Sequence, residues 1–195
     1  MLNKDILISI FQKLYEQAKK SYDEFNSADG KIGDGDLGIT ILNGFEEINK
    51  NINKFSDDMG ANFMICSQAF VKKSGSSFGT LIAFSFMNIS KNLKGKNECN
   101  HEDIVNIFAT ALKTILERGK TKLGDKTIAD SLSLIIKKLK DNTNYSEAIQ
   151  SATKQALEDF KGKKILIGRA RMFEDKTKYL DDPGMFALNK LSKVF

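Results

Sequence analysis

Asp29, Asp34 and Asp36 fall within eight residues, interleaved with Gly30, Gly33, Gly35 and Gly38 in the stretch Asp-Gly-Lys-Ile-Gly-Asp-Gly-Asp-Leu-Gly-Ile-Thr (29–40). Carboxylates this close repel one another unless a cation sits between them. Hard oxygen donors of this kind suit magnesium, which commonly binds substrate phosphates at the same time. Glycine lets the backbone approach a ligand closely. The stretch therefore reads as a loop that holds magnesium and, through it, the phosphates of a nucleotide. A Gly/Asp cluster is also what an ordinary turn between helices looks like, since both residue types favour turns. Two sharper readings fail. Gly33-x-Gly35-x-x-Gly38 has the dinucleotide spacing but no strand before it, and Asp34 and Asp36 would face a pyrophosphate with like charge. A calcium loop begun at Asp34 would need Gly and Glu where Ile39 and Phe45 stand.

The elements that must position these residues are helical. Leu7, Ile10, Phe11, Leu14, Tyr15 and Ala18 recur at helical spacing, which predicts a helix over 4–22 ended by the Asp/Gly loop. Further helices are predicted over 37–53, 57–72, 80–93 (fully buried), 101–118, 127–139, 145–160 and 185–194. Residues 165–180 show no clear periodicity, and no run alternates as a strand would. About eight helices with short connections in one domain, 1–195, imply antiparallel neighbours in an all-α bundle or barrel. The breaks at 29–38, 74–80, 119–127 and 182–184 are rich in Gly, Asp, Ser or Lys and could converge at one end. Asp36 would stand at a helix N-terminus, where backbone N–H groups and the dipole favour anions.

Composition narrows the classes. The chain has 195 residues and a net charge of +5, enough for one sizeable core and a mildly basic, mixed surface. No aromatic-basic stripe suggests nucleic acid. Cys66 and Cys99 form no metal or disulfide pattern, which fits a reducing cytosol. The apolar runs at 6–11 and 81–89 are too short for a membrane span, and no cleavage signal follows the first. His101, the single histidine, reads as a solvated residue at a helix start. Gly119-Lys120-Thr121 mimics the end of a P-loop, but Thr114 stands where its first glycine belongs. Arg169 is the better phosphate candidate, because a guanidinium grips phosphate in a bidentate way. Phe63, Phe70, Phe84, Phe86 and Phe108 are most simply core.

Five pieces in order carry a resemblance: Asp29-x4-Asp34-Gly35-Asp36, Ser74-Gly75-x2-Phe78-Gly79-Thr80, Arg118-Gly119-Lys120 with Gly124-Asp125-Lys126-Thr127, Gly168-Arg169-Ala170, and Asp182-Pro183-Gly184. Together they resemble the ADP-binding L subunit of bacterial dihydroxyacetone kinase. The resemblance implies an antiparallel eight-helix barrel with a nucleotide across one end. It implies two Mg2+ ions on Asp29, Asp34 and Asp36, and ADP or ATP as the cofactor. Leu37, Gly38, Ile39 and Thr40 would line the phosphates with Lys73 and Ser74. Gly119, Ile128, Arg169, Asp182, Pro183 and Gly184 would frame the rest of the nucleotide. A stand-alone L chain implies a phosphotransferase-system relay. An M subunit rephosphorylates bound ADP, and the phosphate passes to dihydroxyacetone on a K subunit, in the cytoplasm.

The chain departs from the pattern at Leu37, usually His, at Thr40, usually Asn, and at Val71-Lys72-Lys73, usually Gly-Gly-Ala. Lys73 reads as a surface lysine at a helix end, with a compensating cation at the nucleotide as the alternative. Other functions in keeping with the sequence are a non-catalytic nucleotide-binding module that signals phosphorylation state to a regulator, and an L-type subunit of a kinase for another substrate.

Overall fold

Local capping and spacing explain most of the helices in the computed structural model, which describes all 195 residues. Helix α1 (Lys4–Lys20) opens where the Asn3 side chain accepts the Ile6 N–H, and it buries Leu7, Phe11, Leu14 and Ala18. Ser21 then interrupts the helix, and α2 (Tyr22–Gly30) follows. The expected single helix over 4–22 is thus two helices, and the second carries Asp29 on its last turn rather than in a loop. Phe25, fully buried edge-on against Phe186, explains the extra helix: it pins α2 to the C-terminal region.

The remaining helices are α3 (Leu37–Asn51), α4 (Met59–Lys73), α5 (Ser77–Asn92), α6 (His101–Gly119), α7 (Ile128–Lys140), α8 (Tyr145–Asp159) and α9 (Pro183–Leu191). Asp58, Ser76 and Asp182 cap α4, α5 and α9, and reciprocal capping boxes, Asn100–Asp103 and Thr127–Asp130, start α6 and α7. The all-α class stands as expected, with nine α-helices where periodicity predicts about eight. The only sheet is a two-residue antiparallel pairing of Leu2–Asn3 with Glu98–Cys99. Residues Arg169–Tyr179, which lack periodicity, form 3-10 turns broken at Glu174 (φ 39°, ψ −118°).

From α3 to α9 each helix packs on the next, α9 packs back on α1 and α2, and those two flank α3. The larger core cluster lies among α1, α3, α4 and α5, where Phe45 and Phe70 meet edge-on at 5.5 Å. A smaller cluster joins α6, α7 and α8. Phe63 and Phe70 are core as expected, and Phe86 and Phe108 pack at its margin. Phe84 instead lies beneath the Arg118 guanidinium, 3.6 Å from its ring centre. Helix α5 is not fully buried; only Gly79, Ala83, Ser85, Ile89 and Ser90 are covered, because its first turns face a cleft. His101 is not a freely solvated cap: Asn100 does the capping, and the half-buried imidazole stacks on Tyr145 with Nδ1 3.1 Å from its hydroxyl. No helix is long and apolar enough to cross a membrane.

Candidate functional site

Helices α3, α5, α7 and α9 all begin at one cleft of about 390 Å³. Their N-cap residues, Asp36, Ser76, Thr127 and Asp182, line its wall, as do Asp29 from the end of α2 and Gly119 from the end of α6. All four connections singled out in the sequence therefore reach the same cavity. Each helix start carries partial positive charge from the macrodipole, so four of them make the cleft attractive to an anion.

Against these positive ends stands the acidic cluster. Asp29, Asp34 and Asp36 bring carboxylate oxygens within 4.8 Å of one another. At that separation a pair of unit charges repels by about 1 kcal/mol in water and about 3.5 kcal/mol at an effective dielectric of 20. The cluster is held by the backbone. Asp29 Oδ2 accepts N–H bonds from Gly35 at 2.8 Å and Asp36 at 3.1 Å, which curls the loop around its carboxylate. A side chain at Gly33 would put its Cβ 2.4 Å from Asp29 Oδ1, so only glycine fits there without moving that carboxylate.

Asp36 occupies the N-cap position of α3 yet makes no side-chain cap. Asn26, on α2, caps the helix in its place, with its Oδ1 accepting the N–H groups of Gly38 at 2.7 Å and Ile39 at 3.3 Å. The Asp36 carboxylate is thereby free to join the cluster. Gly38 makes the arrangement possible, since a Cβ there would lie 2.3 Å from the Tyr22 carbonyl oxygen. Burial raises the Asp36 pKa first, the charges of Asp34 and Asp29 raise it further, and the Arg169 guanidinium opposes them. Asp34 pairs with Arg169, a single cation set against a cluster of three acids. Three converging carboxylates are the donor set that magnesium takes, and a divalent ion would offset repulsion that one exposed guanidinium leaves uncompensated.

Another part of the lining is apolar. Phe78, Leu81, Ile115 and Ile128 form it, with Thr121 and Thr127 as polar points. Such a wall beside an anion-attracting rim suits a flat, partly apolar group linked to phosphates. Asp182 also lines the cleft; burial pushes its carboxyl up to about 7, against the pull of the Met185 and Gly184 N–H groups and the Lys126 ammonium. The 3-10 strap brings Ile167, Gly168, Arg169 and Ala170 to the cleft. Residues 161–179 carry seven Lys or Arg against two Asp or Glu, an excess equal to the whole chain's net charge of +5. The basicity is thus concentrated in the segment that brings Arg169 to the cavity.

Comparison with known proteins fixes the family. The DAK2 domain matches residues 31–195, which includes every helix from α3 onward. The chain belongs to the DAK2 domain family. This DAK2 chain is 27% identical over 145 residues to the ADP-binding subunit DhaL of PEP-dependent dihydroxyacetone kinase 2 of Listeria innocua, covering 73% of the chain and 67% of that protein. It is 26% identical to the corresponding subunit of dihydroxyacetone kinase 1 of the same organism, covering 95% of the chain and 91% of the relative. The crystal structure of C. freundii dihydroxyacetone kinase in complex with AMP-PNP and Mg2+ superposes with a TM-score of 0.76 at 21% identity, over 96% of this chain and 33% of that one. The chain thus spans only about a third of that kinase, and the likeness establishes the fold.

In this DAK2 chain the cleft gathers Asp29, Asp34, Asp36, Leu37, Gly119, Ile128, Arg169, Asp182, Pro183 and Gly184. Gly38, Ile39, Thr40, Lys73 and Ser74 lie outside its wall. The N–H groups of Gly38 and Ile39 are taken by Asn26, and the Thr40 hydroxyl donates to Ser76 Oγ at 2.8 Å. Lys73 points to the buried Glu47, 3.9 Å away, which Lys72 also pairs with at 2.7 Å. Sequence reasoning missed Asn26 and Ser76, and it named Phe78 and Lys126 as motif positions without giving them a role. Ser76 could have been found as the hydroxyl two residues before Phe78 at a helix start; the partners of Asn26 and Lys126 lie far along the chain and leave no local signal.

Proposed function

We propose that this chain is the nucleotide-binding, phosphoryl-transfer subunit of a dihydroxyacetone kinase. The observation that carries the reading is the meeting of an acidic triad and four helix N-termini at one cleft, in a chain of the DAK2 domain family. A wall with both signs of charge suits a ligand with both signs, and a metal-bound diphosphate is such a ligand.

In this reading Asp29, Asp34 and Asp36 hold two Mg2+ ions, which supply charge neutralisation at the phosphates when bound. The residues of the chain bind and orient. The starts of α5 and α7 present N–H groups to phosphate or ribose oxygens. Arg169 transfers from Asp34 to a phosphate once the acids are neutralised by metal. Phe78, Leu81, Ile115 and Ile128 cover the base and keep water from it. No nucleophile or general base is needed, because phosphoryl transfer depends chiefly on positioning and charge stabilisation. The cleft would retain ADP as a carrier, so that phosphate from an M-type subunit of a phosphotransferase relay would pass through it to dihydroxyacetone on a K-type subunit. The Listeria innocua relatives are named as ADP-binding subunits of PEP-dependent enzymes, which supports this arrangement.

The test combines the chain with K and M partners, phosphoenolpyruvate and the general phosphotransferase proteins, and follows dihydroxyacetone phosphate. Turnover that requires this chain and is lost in Asp34→Asn supports the proposal. Tight Mg·ADP binding by calorimetry with no turnover would instead favour a signalling module, and no binding would remove the reading altogether.

A further inference from the structure

Lys126 is among the largest fully buried side chains, 2% exposed, and no carboxylate is hydrogen-bonded to it. Its ammonium donates instead to two main-chain carbonyl oxygens, Lys163 at 2.9 Å and Thr177 at 3.0 Å. These carbonyls are the two feet of a single excursion, residues 163–177, whose middle carries Arg169 to the acidic cluster. Neighbouring bonds secure the same base: Leu166 N–H donates to the Asp125 carbonyl at 3.1 Å, and Ile165 N–H to Thr177 Oγ1 at 3.0 Å. Beyond the base the excursion has little cover, with Leu166 and Met172 largely exposed and the Lys176 ammonium donating to the Lys31 carbonyl at 3.3 Å. Lys126 itself sits in left-handed backbone conformation (φ 60°), which a residue with a side chain adopts at a cost. Burying an ammonium is also costly unless hydrogen bonds satisfy it. Both costs fall on the residue that ties the strap's two ends together.

We propose that Lys126 is a positioning residue for the cleft: by gripping the carbonyls of Lys163 and Thr177 it closes the base of the strap and so holds Arg169 over the acidic cluster. Lys126 touches no ligand and acts through Arg169. A neutral side chain of similar length fills the volume but leaves two carbonyls without their charge-assisted donor, and the base of the strap loosens.

The effect on the strap is independent of any ligand; the effect on affinity rests on the nucleotide reading above. The experiment therefore has two arms, on Lys126→Met and on Lys126→Gln, which keeps one amide donor. In the ligand-free protein, amide hydrogen exchange across 163–178 should accelerate at least about tenfold in Lys126→Met, and less in Lys126→Gln, while α3 to α6 keep their protection. In the second arm, Mg·ADP affinity is measured with and without Arg169→Ala. That substitution should weaken the parent about tenfold but cost less than about twofold in the Lys126→Met background, because the strap no longer places the guanidinium. Should Lys126→Met fail to fold, the same non-additivity must show, in part, in Lys126→Gln. Exchange that rises uniformly along the chain, or an Arg169→Ala penalty equal in both backgrounds, overturns the proposal and leaves Lys126 a general stabiliser. If the parent binds no Mg·ADP, the nucleotide reading fails and the exchange arm decides Lys126 by itself.

Discussion

Replacing Asn26 by alanine should damage metal binding more than it damages the fold. Asn26 Oδ1 satisfies the Gly38 and Ile39 N–H groups, so Asp36, at the N-cap position, need not cap them. Loss of a helix cap costs about 1 kcal/mol. In Asn26→Ala, however, the Asp36 carboxylate lies beside the uncovered N–H groups and can turn to accept them. Most of the lost stability is then recovered, and the melting temperature should fall by no more than about 3 °C, the shift that about 1 kcal/mol produces in a domain of this size. The cost moves to the cluster. Binding magnesium now requires pulling Asp36 off its cap, and about 1 kcal/mol corresponds to about a fivefold weaker affinity. Asn26→Asp keeps the acceptor and should restore both quantities. Titration calorimetry with Mg·ADP and thermal melts of the three proteins check this. An Asn26→Ala protein that binds Mg·ADP within twofold of the parent while losing 10 °C or more, ~3 kcal/mol on the same scale, would refute the division of labour between Asn26 and Asp36.

Other outcomes follow from the same geometry. Gly33→Ala should displace the Asp29 carboxylate, since the added Cβ lies 2.4 Å from Oδ1, and should weaken Mg·ADP binding about tenfold or more with little change in helix content, read by calorimetry and circular dichroism. Lys73→Ala should leave ADP affinity unchanged, because that side chain faces Glu47 outside the cleft; a loss of affinity would place it at the nucleotide after all. Asp182→Asn keeps the acceptor that caps α9 but removes a carboxyl raised from 3.8 to about 7. Between those values the unfolded chain gives up a proton that the folded chain retains, so the parent loses stability as pH rises through the window and levels off above it. The variant's melting temperature should gain on the parent's from pH 4 to 7, and parallel curves would contradict the burial of that carboxyl.

Features that act over a few residues were legible in the sequence. Apolar spacing found α1 and α3 to α8 within a few residues of their ends, and the capping residues stand where a short polar side chain precedes an apolar run, as at Asn100 and Thr127. The acidic cluster was legible for the same reason: its three members fall within eight residues, so any compact path between α2 and α3 crowds the carboxylates. The helix containing Asp29 was not. Nine polar-rich residues with one large apolar group, Phe25, show no periodicity of their own; their helix is fixed by the packing of that ring on Phe186, far along the chain.

The same distinction explains which site residues escaped. Arg169 is conspicuous by residue type and Leu37 by its place in the motif beside Asp36, and both reach the cleft through their own backbone position. Asn26 is an amide in a polar helix and Lys126 a motif lysine with no role legible from its neighbours, and each works by bonding main-chain atoms that folding brings to it: Asn26 bonds N–H groups 12 and 13 residues away, Lys126 carbonyls 37 and 51 residues away. A backbone atom carries no residue-type signature, so a partner of this kind cannot be read from spacing. Both residues govern a side chain that was legible, Asn26 freeing Asp36 and Lys126 placing Arg169 through the strap. Substitutions at the conspicuous residues would therefore report what the cleft binds, and substitutions at Asn26 and Lys126 would report how the fold holds the cleft ready to bind it.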